Sequence, residues 1–327
     1  MPGTISRRAM LAGAAAAVLP DLACAQGSGA WPSQPIRLVV PFAPGGTTDL
    51  VARLVAQGLQ ERLGQPLIIE NRPGAGATLG SQQVAAAAPD GYTLVLSNIA
   101  SHAIAPSLYR NLRYDPVRDF AHIALITRNP SVFVANPAFP GRSLADVVRL
   151  AREGARGLDI ASSGSGSSNH LLIVQFARVT GAPVNHVPYR GAGPAMTDVI
   201  AGVVPMMSDS LPSAAAHIQG GAVRAIAMSS EERHPAFPEV PTFREQGVDL
   251  VSSSWFGLSA PAGTPPAIVA RLNREVRELL SAPAMRARFA GIGGTVGELS
   301  PEAFADFVAT EVARWAPVVQ ASGARVD

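Results

Sequence analysis

Leu38-Val39-Val40-Pro41-Phe42-Ala43-Pro44-Gly45-Gly46-Thr47-Thr48-Asp49-Leu50-Val51-Ala52-Arg53 opens as an apolar run and breaks at two prolines and two glycines. It resumes with Leu50, Leu54 and, further on, Leu59 at helical spacing. The reading is strand, glycine turn, helix. Thr47, Thr48 or Asp49 can cap the helix by accepting from its unpaired N–H groups. The glycines allow a tight turn and leave room for a ligand atom close to the main chain. A helix start offers unpaired N–H groups and the positive end of a dipole, so such a turn can hold an anion. Taken alone, the stretch is an ordinary strand-to-helix connection. It gains weight because the same shape recurs once downstream.

Outward from this stretch the chain alternates strand and helix. Strand over 36–40 and helix over 49–63 are followed by strand over 67–70, helix over 78–88 and strand over 92–97. This βαβαβ pattern predicts a parallel sheet with helices on its faces, and ligands beyond the carboxyl ends of its strands. Those ends carry three loops, at 41–49, 71–76 and 97–102. Strand leading into strand is expected over 120–134, and a helix after Ser143 with Asp146 at its third position. A second series then begins: strand 158–161, the turn Ser162-Ser163-Gly164-Ser165-Gly166-Ser167-Ser168-Asn169-His170, and helix 171–179. Residues 184–188, 196–201, 203–207 and 223–228 continue the alternation, and 251–260 reads as a strand returning to the first sheet. Thr264-Pro265-Pro266 and Ser300-Pro301-Glu302 each start a C-terminal helix. The expected architecture is therefore α/β. Two doubly wound α/β lobes, periplasmic binding protein-like, are joined by two crossover strands near 126–134 and 250–258, with a ligand cleft between them. Lobe one spans 31–130 and 254–327, and lobe two spans 131–253. A cleft of this kind is where small ligands bind, and closure about two short strands is a hinge motion.

Composition narrows the chemistry. The 327 residues are 47% hydrophobic and 15% charged, which provides ample core and no disordered character. All 26 basic residues are Arg. Without Lys there is no Schiff-base chemistry and no P-loop lysine. A formal charge of +2 with scattered Arg gives no footprint for nucleic acid. Residues 1–25 read as an export signal: Arg7-Arg8, an apolar run over 9–19, then Ala23-Cys24-Ala25 before Gln26. The run is shorter than the ~20 residues that span a bilayer. Ser6-Arg7-Arg8-Ala9-Met10-Leu11 resembles a twin-arginine signal, yet Sec signals also carry paired arginines, so both routes stay open. Asp21 stands where a lipobox wants an aliphatic residue, which favours cleavage after Ala25 over lipidation of Cys24. The mature chain then has no cysteine, which excludes a thiol nucleophile, a zinc–thiolate site and a disulfide. A protein outside the cytoplasm, in the periplasm, is expected.

Six stretches carry a resemblance. They are Pro41-Phe42-Ala43-Pro44-Gly45-Gly46-Thr47-Thr48-Asp49, Glu70-Asn71-Arg72-Pro73-Gly74-Ala75-Gly76, Ala88-Pro89-Asp90-Gly91-Tyr92-Thr93-Leu94, Gly164-Ser165-Gly166-Ser167-Ser168-Asn169-His170, Val187-Pro188-Tyr189-Arg190-Gly191-Ala192-Gly193-Pro194-Ala195 and Pro238-Glu239-Val240-Pro241-Thr242. Together, and in this order along the mature chain, they resemble the substrate-binding receptors of tripartite tricarboxylate transporters, the Bug family. The resemblance implies a two-domain periplasmic binding-protein fold. It also implies small carboxylates held mainly by main-chain N–H groups and ordered water, and delivery to integral membrane transporter subunits. Ser208 before Asp209, and Ser253-Ser254 before Trp255, depart from the usual pattern and bear on the ligand's distal end.

The site expected on these grounds is a two-sided anion clamp. Gly45, Gly46, Thr47 and Thr48 start a helix on lobe one, and Gly164, Ser165, Gly166, Ser167 and His170 surround one on lobe two. Asp49 is expected to cap its helix, since a carboxylate facing the ligand would repel it. Phe42 covers an apolar part of the ligand, and Ser97 and Ser101 are further contacts on the third rim loop. Tyr189 either closes over the ligand or packs, and His170 either donates to a carboxylate or caps. Asp209 either binds an amino or hydroxyl group or caps the following turn. Residues 71–76 read as a structural turn, and Arg72 and Arg190 as surface residues. No G-x-S-x-G elbow, H-E-x-x-H, EF-hand loop or Walker A occurs, so a secreted hydrolase has little behind it. Residues 74–80 only faintly echo the dinucleotide fingerprint. The expectation is a monomeric receptor without cofactor or metal, binding a di- or tricarboxylate, an amino acid or an aromatic acid. A ligand-loaded partner of a membrane sensor, with the same fold, is the alternative.

Overall fold

The computed structural model describes residues 31–323. The export segment, with Cys24 and the cleavage site after Ala25, lies outside the described residues. β1 (Ile36–Val40) is an apolar strand that stops at Pro41, and α1 (Thr47–Leu63) begins after the glycine pair. α1 ends at Gly64, whose left-handed backbone (φ 69°) lets its N–H return to the Gln60 carbonyl. β2 (Leu67–Asn71) lies parallel to β1 on one side. After α2 (Thr78–Ala85), β3 (Thr93–Asn98) lies parallel to it on the other. The short α3 (Ala105–Leu108) leads towards β4 (Phe120–Ala135).

The second half repeats the alternation. It runs α4 (Leu144–Glu153), β5 (Leu158–Ser162), α5 (Ser168–Thr180), β6 (Val184–Pro188) and α6 (Ala192–Ile200), then β7 (Met206–Ser210), α7 (Leu211–Gln219) and β8 (Arg224–Met228). The chain returns through β9 (Ser253–Pro261) and ends with α8 (Pro266–Ser281), α9 (Pro283–Gly291), β10 (Thr295–Val296) and α10 (Pro301–Ser322). Strand order is β2-β1-β3-β9-β4-β7-β5-β6, with β8 and β10 also on β4.

β4 is the shared strand, and it changes partners midway. Pro130 faces Ser253 of β9, whereas the next residue, Ser131, faces Ser210 of β7. Its first half therefore belongs to one sheet and its second half to another. The cores divide at the same place. Leu38, Val55, Leu96, Ile126 and Leu258 pack in one cluster; Phe133, Ile160, Leu172 and Phe176 pack in another. These are two α/β lobes joined by two crossing segments. A further cluster joins Phe304, Val308 and Trp315 of α10 to Leu171 of α5, so the last helix touches both lobes.

Several elements differ from expectation for local reasons. β7 begins at Met206 because Pro205 has no N–H to give a ladder, which shifts the strand into Ser208-Asp209-Ser210. α5 starts at Ser168, ahead of the apolar run that marks its body. α7 has no counterpart in the sequence reading, although Ser210 and Pro212 are ordinary helix-start residues.

Candidate functional site

Gly45 takes a left-handed backbone (φ 84°), which swings the chain into α1. Gly46 is the N-cap and offers no side chain, and Asp49 reaches back instead to accept the Gly45 N–H (3.2 Å). Asp49 also takes two bonds from Arg53, at 2.9 and 3.1 Å, and one from the Asn71 amide at 3.1 Å. Burial pushes this carboxyl up, but the bonds from Arg53, Gly45 and Asn71 outweigh it and hold it below its ordinary 3.8. Asp49 is thus an ionised residue turned inward on its own helix, in the capping role. No hydrogen bond within the described chain takes up the N–H of Gly46, Thr47 or Thr48.

On the second lobe, Ser167 caps α5. Its hydroxyl accepts the His170 N–H (3.1 Å) and donates to the Gly164 carbonyl (2.7 Å). Gly164 (φ 128°) and Gly166 (φ 82°) hold the turn in backbone that side chains disfavour. The Asn169 amide is fixed between Ser131 and Ser163, each at 3.3 Å. The N–H groups of Ser168 and Asn169 again have no partner among the described residues. His170 accepts the Gly166 N–H and stacks on His186 with centroids 4.0 Å apart. Burial lowers His170 to about 4 and, with the neighbouring His170, lowers His186 to about 3, so the pair is neutral at physiological pH.

A third wall comes from β7 and α7. Asp209 is fully buried, and its two oxygens accept from the Ser210 N–H (2.8 Å) and the Ser213 hydroxyl (2.7 Å). With no cation beside it among the described residues, burial pushes Asp209 up to about 7. Ser213 continues to the other lobe. Its N–H donates to Thr47 Oγ1 (3.1 Å), whose hydroxyl also lies 2.8 Å from Ser213 Oγ.

These helix starts enclose one cavity of about 30 Å³. Phe42, Gly46, Thr47 and Thr48 line it from the first lobe, and Ser163, Ser167, Ser168, Asn169, Ala192, Asp209 and Ser210 from the second. Asn98, Ile99 and Ala100 close one end, and Ser254 and Phe256 of β9 form the base. Among the described residues no Arg and no His lines it, and the only ionisable group in the wall is Asp209.

The expected contacts fall into three groups. Phe42, Gly46, Thr47, Thr48, Ser167 and Asp209 are brought together in this cavity. Gly164, Ser165 and Tyr189 line an adjoining groove of about 430 Å³ that shares Phe42 and Ser163 with it. Gly45, Ser97, Ser101, Gly166 and His170 line neither. Gly45 gives its N–H to Asp49; Ser97 accepts from Ser259 (2.9 Å) inside the sheet; the Ser101 hydroxyl lies 2.8 Å from His102 Nδ1. Gly166 and His170 are tied to each other behind the turn. Sequence reasoning misses Asn98 by one residue: successive strand residues face opposite sides, so Asn98 reaches the cavity where Ser97 cannot. Ser208, expected from the sequence to bear on the ligand's distal end, is fully buried next to Asp209 and does not line the cavity.

Comparison with known proteins accords with this arrangement. The family described as "Tripartite tricarboxylate transporter family receptor" matches residues 51–324. Protein BugT of Bordetella pertussis is 39% identical over 298 residues, covering 90% of this chain and 91% of its own. Among solved structures, Rpa4515 of R. palustris with adipate superposes with a TM-score of 0.87 at 36% identity, over 90% of this chain and all (100%) of that one. MatC (Rpa3494) of Rhodopseudomonas palustris, with bound malate, does so at 0.84 and 37% identity, over 88% of this chain and 99% of its own. Among the described residues no helix is long and apolar enough to cross a membrane. With its two periplasmic-binding-protein lobes and a cavity between their helix starts, the chain belongs to the tripartite tricarboxylate transporter receptor family, whose members are periplasmic solute-binding proteins.

Proposed function

We propose that this protein is an extracytoplasmic receptor that captures a small carboxylate between its lobes and delivers it to a tripartite tricarboxylate-type membrane transporter. The observation that carries the reading is the set of unpaired N–H groups of Gly46, Thr47 and Thr48 facing those of Ser168 and Asn169 around one cavity lined by no cationic side chain among the described residues. A carboxylate seated there accepts from both helix starts at once. Each helix end contributes about 0.3–1 kcal/mol to a facing negative charge, and each N–H bond to a charged acceptor about 1.5–3 kcal/mol. Four or five such bonds, set against the cost of association, bring affinity to about micromolar. Fixed amides need no reorganisation when the anion arrives, which is the advantage over flexible Arg side chains.

Lobe one then comprises residues 31–130 and 254–327, and lobe two residues 131–253. The bonds from Thr47 to Ser213 and from the Ala43 N–H to the Arg190 carbonyl (3.2 Å) belong to the closed arrangement, which a ligand bound between the lobes reinforces. The relatives that carry adipate and malate point to the same ligand class.

The test is a thermal-shift and calorimetric panel of mono-, di- and tricarboxylates, amino acids and aromatic acids. At least one acid is expected to raise Tm, with about 2.7 kcal/mol of added stability at 100 times Kd. A response confined to uncharged compounds would overturn the reading.

A further inference from the structure

The inner cavity is small for the ligand of a receptor. One water needs about 10–15 Å³, so about 30 Å³ has room for the two oxygens of a carboxylate and little beyond them. The adjoining groove is more than ten times larger, at about 430 Å³, and begins at the same Phe42 and Ser163. A ligand longer than its carboxylate head has this groove to extend into.

The groove has features of a built site. Its outer wall is the turn at residues 74–77, where four consecutive residues have positive φ: Gly74 (139°), Ala75 (45°), Gly76 (59°) and Ala77 (77°). Gly tolerates this backbone, but Ala75 and Ala77 do so at a conformational cost. Strain of this kind persists where the surroundings enforce it, and it clusters at binding sites. The turn is held against the second lobe and the end of α3: a Cβ on Gly76 would lie 2.8 Å from both the Ser165 carbonyl and Tyr109 Oη.

Two polar groups in the groove await a partner. Tyr109 Oη is buried and makes no hydrogen bond. Burial raises its pKa, so it remains a neutral donor. Among the described residues Arg190 is the only charged one lining the groove, and its guanidinium makes no ion pair or hydrogen bond with any of them. Tyr189 is not a third donor, because its hydroxyl already donates to Asp198 (2.6 Å) and only its ring walls the groove.

We propose that this groove is a second ligand subsite, in which Tyr109 Oη and the Arg190 guanidinium receive the far carboxylate of an elongated diacid whose near carboxylate sits in the inner cavity. The proposal rests on the receptor reading and adds to it a ligand length and a second charge. A buried donor without an acceptor is costly, and a far carboxylate satisfies it while pairing with an Arg that has no competing acid in the groove.

The experiment is isothermal titration of the ligand-free protein with succinate, adipate and suberate, and with the monoacids hexanoate and octanoate. Adipate or suberate is expected to bind about tenfold or more tighter than the monoacid of equal length. Tyr109→Phe and Arg190→Gln are each expected to weaken that diacid about three- to tenfold and to leave the monoacid unchanged. Both are mild changes, and unaltered Tm of the unliganded variants confirms that they fold. Diacids no tighter than monoacids, or variants that weaken both equally, overturn the subsite. Gly46→Val separates the two readings. If it abolishes acid binding while the groove variants change nothing, the receptor stands and the subsite falls. If no acid binds the parent protein, both fall.

Discussion

Asp209 is a carboxyl in the wall of a cavity that recognises a carboxylate, and its protonation decides whether it helps or repels. Burial holds it up at about 7, and neither Ser210 nor Ser213 brings a compensating charge. The neutral form accepts an anion beside it; the ionised form opposes one. Anion binding therefore raises this pKa further and takes up a proton. We predict that carboxylate affinity falls as pH rises through about 7, approaching tenfold per pH unit above it, with proton uptake seen by calorimetry in buffers of different ionisation enthalpy. Asp209→Asn is expected to flatten that profile, because the Ser213 hydroxyl can turn to suit an amide. An unchanged pH profile in the variant would show that Asp209 does not face the anion. The same group affects stability with a definite sign. Its folded pKa lies above the ordinary 3.8, so its contribution is fully present below about 4 and is lost as pH rises through about 7.

At the scale of elements, the starts of α1 and α5 hold the near carboxylate, and side-chain charge does not. Gly46 has extended backbone that a β-branched residue can adopt, yet its Cβ would meet the Ala192 Cβ at 3.2 Å across the cleft. Gly46→Val is therefore expected to lower affinity for any acid by about tenfold or more, whereas Arg72→Ala, whose residue pairs with Glu70, leaves it within about twofold. Titration of both variants checks this, and dominance of Arg72 would overturn the amide clamp. The strand–turn–helix units are legible from sequence because apolar run, glycine and helical spacing sit within one short window. The end and the base of the cavity are not. Asn98 to Ala100 belong to a strand end running into a π-helical turn, whose spacing matches neither helix nor strand periodicity. The apolar run at 251–260 announces that β9 returns to the first sheet, but the antiparallel register against β3 that brings Ser254 and Phe256 to the cavity pairs residues some 160 positions apart, and no local pattern gives it. Residue type alone points to Ser165 and His170 as contacts; the path of the turn into α5 brings Ser163, Ser168 and Asn169 to the cavity instead.

The two lobes meet through glycines on both sides of the seam, and this makes closure testable without touching the ligand. Gly193 lies in α6 with ordinary helical backbone, so alanine there suits its own lobe and even favours the helix. Its Cβ would, however, stand 2.4 Å from the Pro44 carbonyl of the opposite lobe, a contact with backbone that no rotamer change relieves. Gly193→Ala should therefore fold as well as the parent and fail to shut. Gly291, at the end of α9, has open space within 4 Å of where a Cβ would stand and no positive φ, so Gly291→Ala is the matched control. If ligand and closure are linked, the acid's free energy goes partly into bringing the lobes together, and a state that cannot close binds weakly in proportion to the closed contacts it loses. Small-angle scattering with saturating acid is expected to show contraction of the parent and of Gly291→Ala but not of Gly193→Ala. Titration should show an affinity loss of about tenfold or more for Gly193→Ala alone. A Gly193→Ala protein that contracts and binds like the parent would mean that capture takes place without the lobes pressing together at this seam.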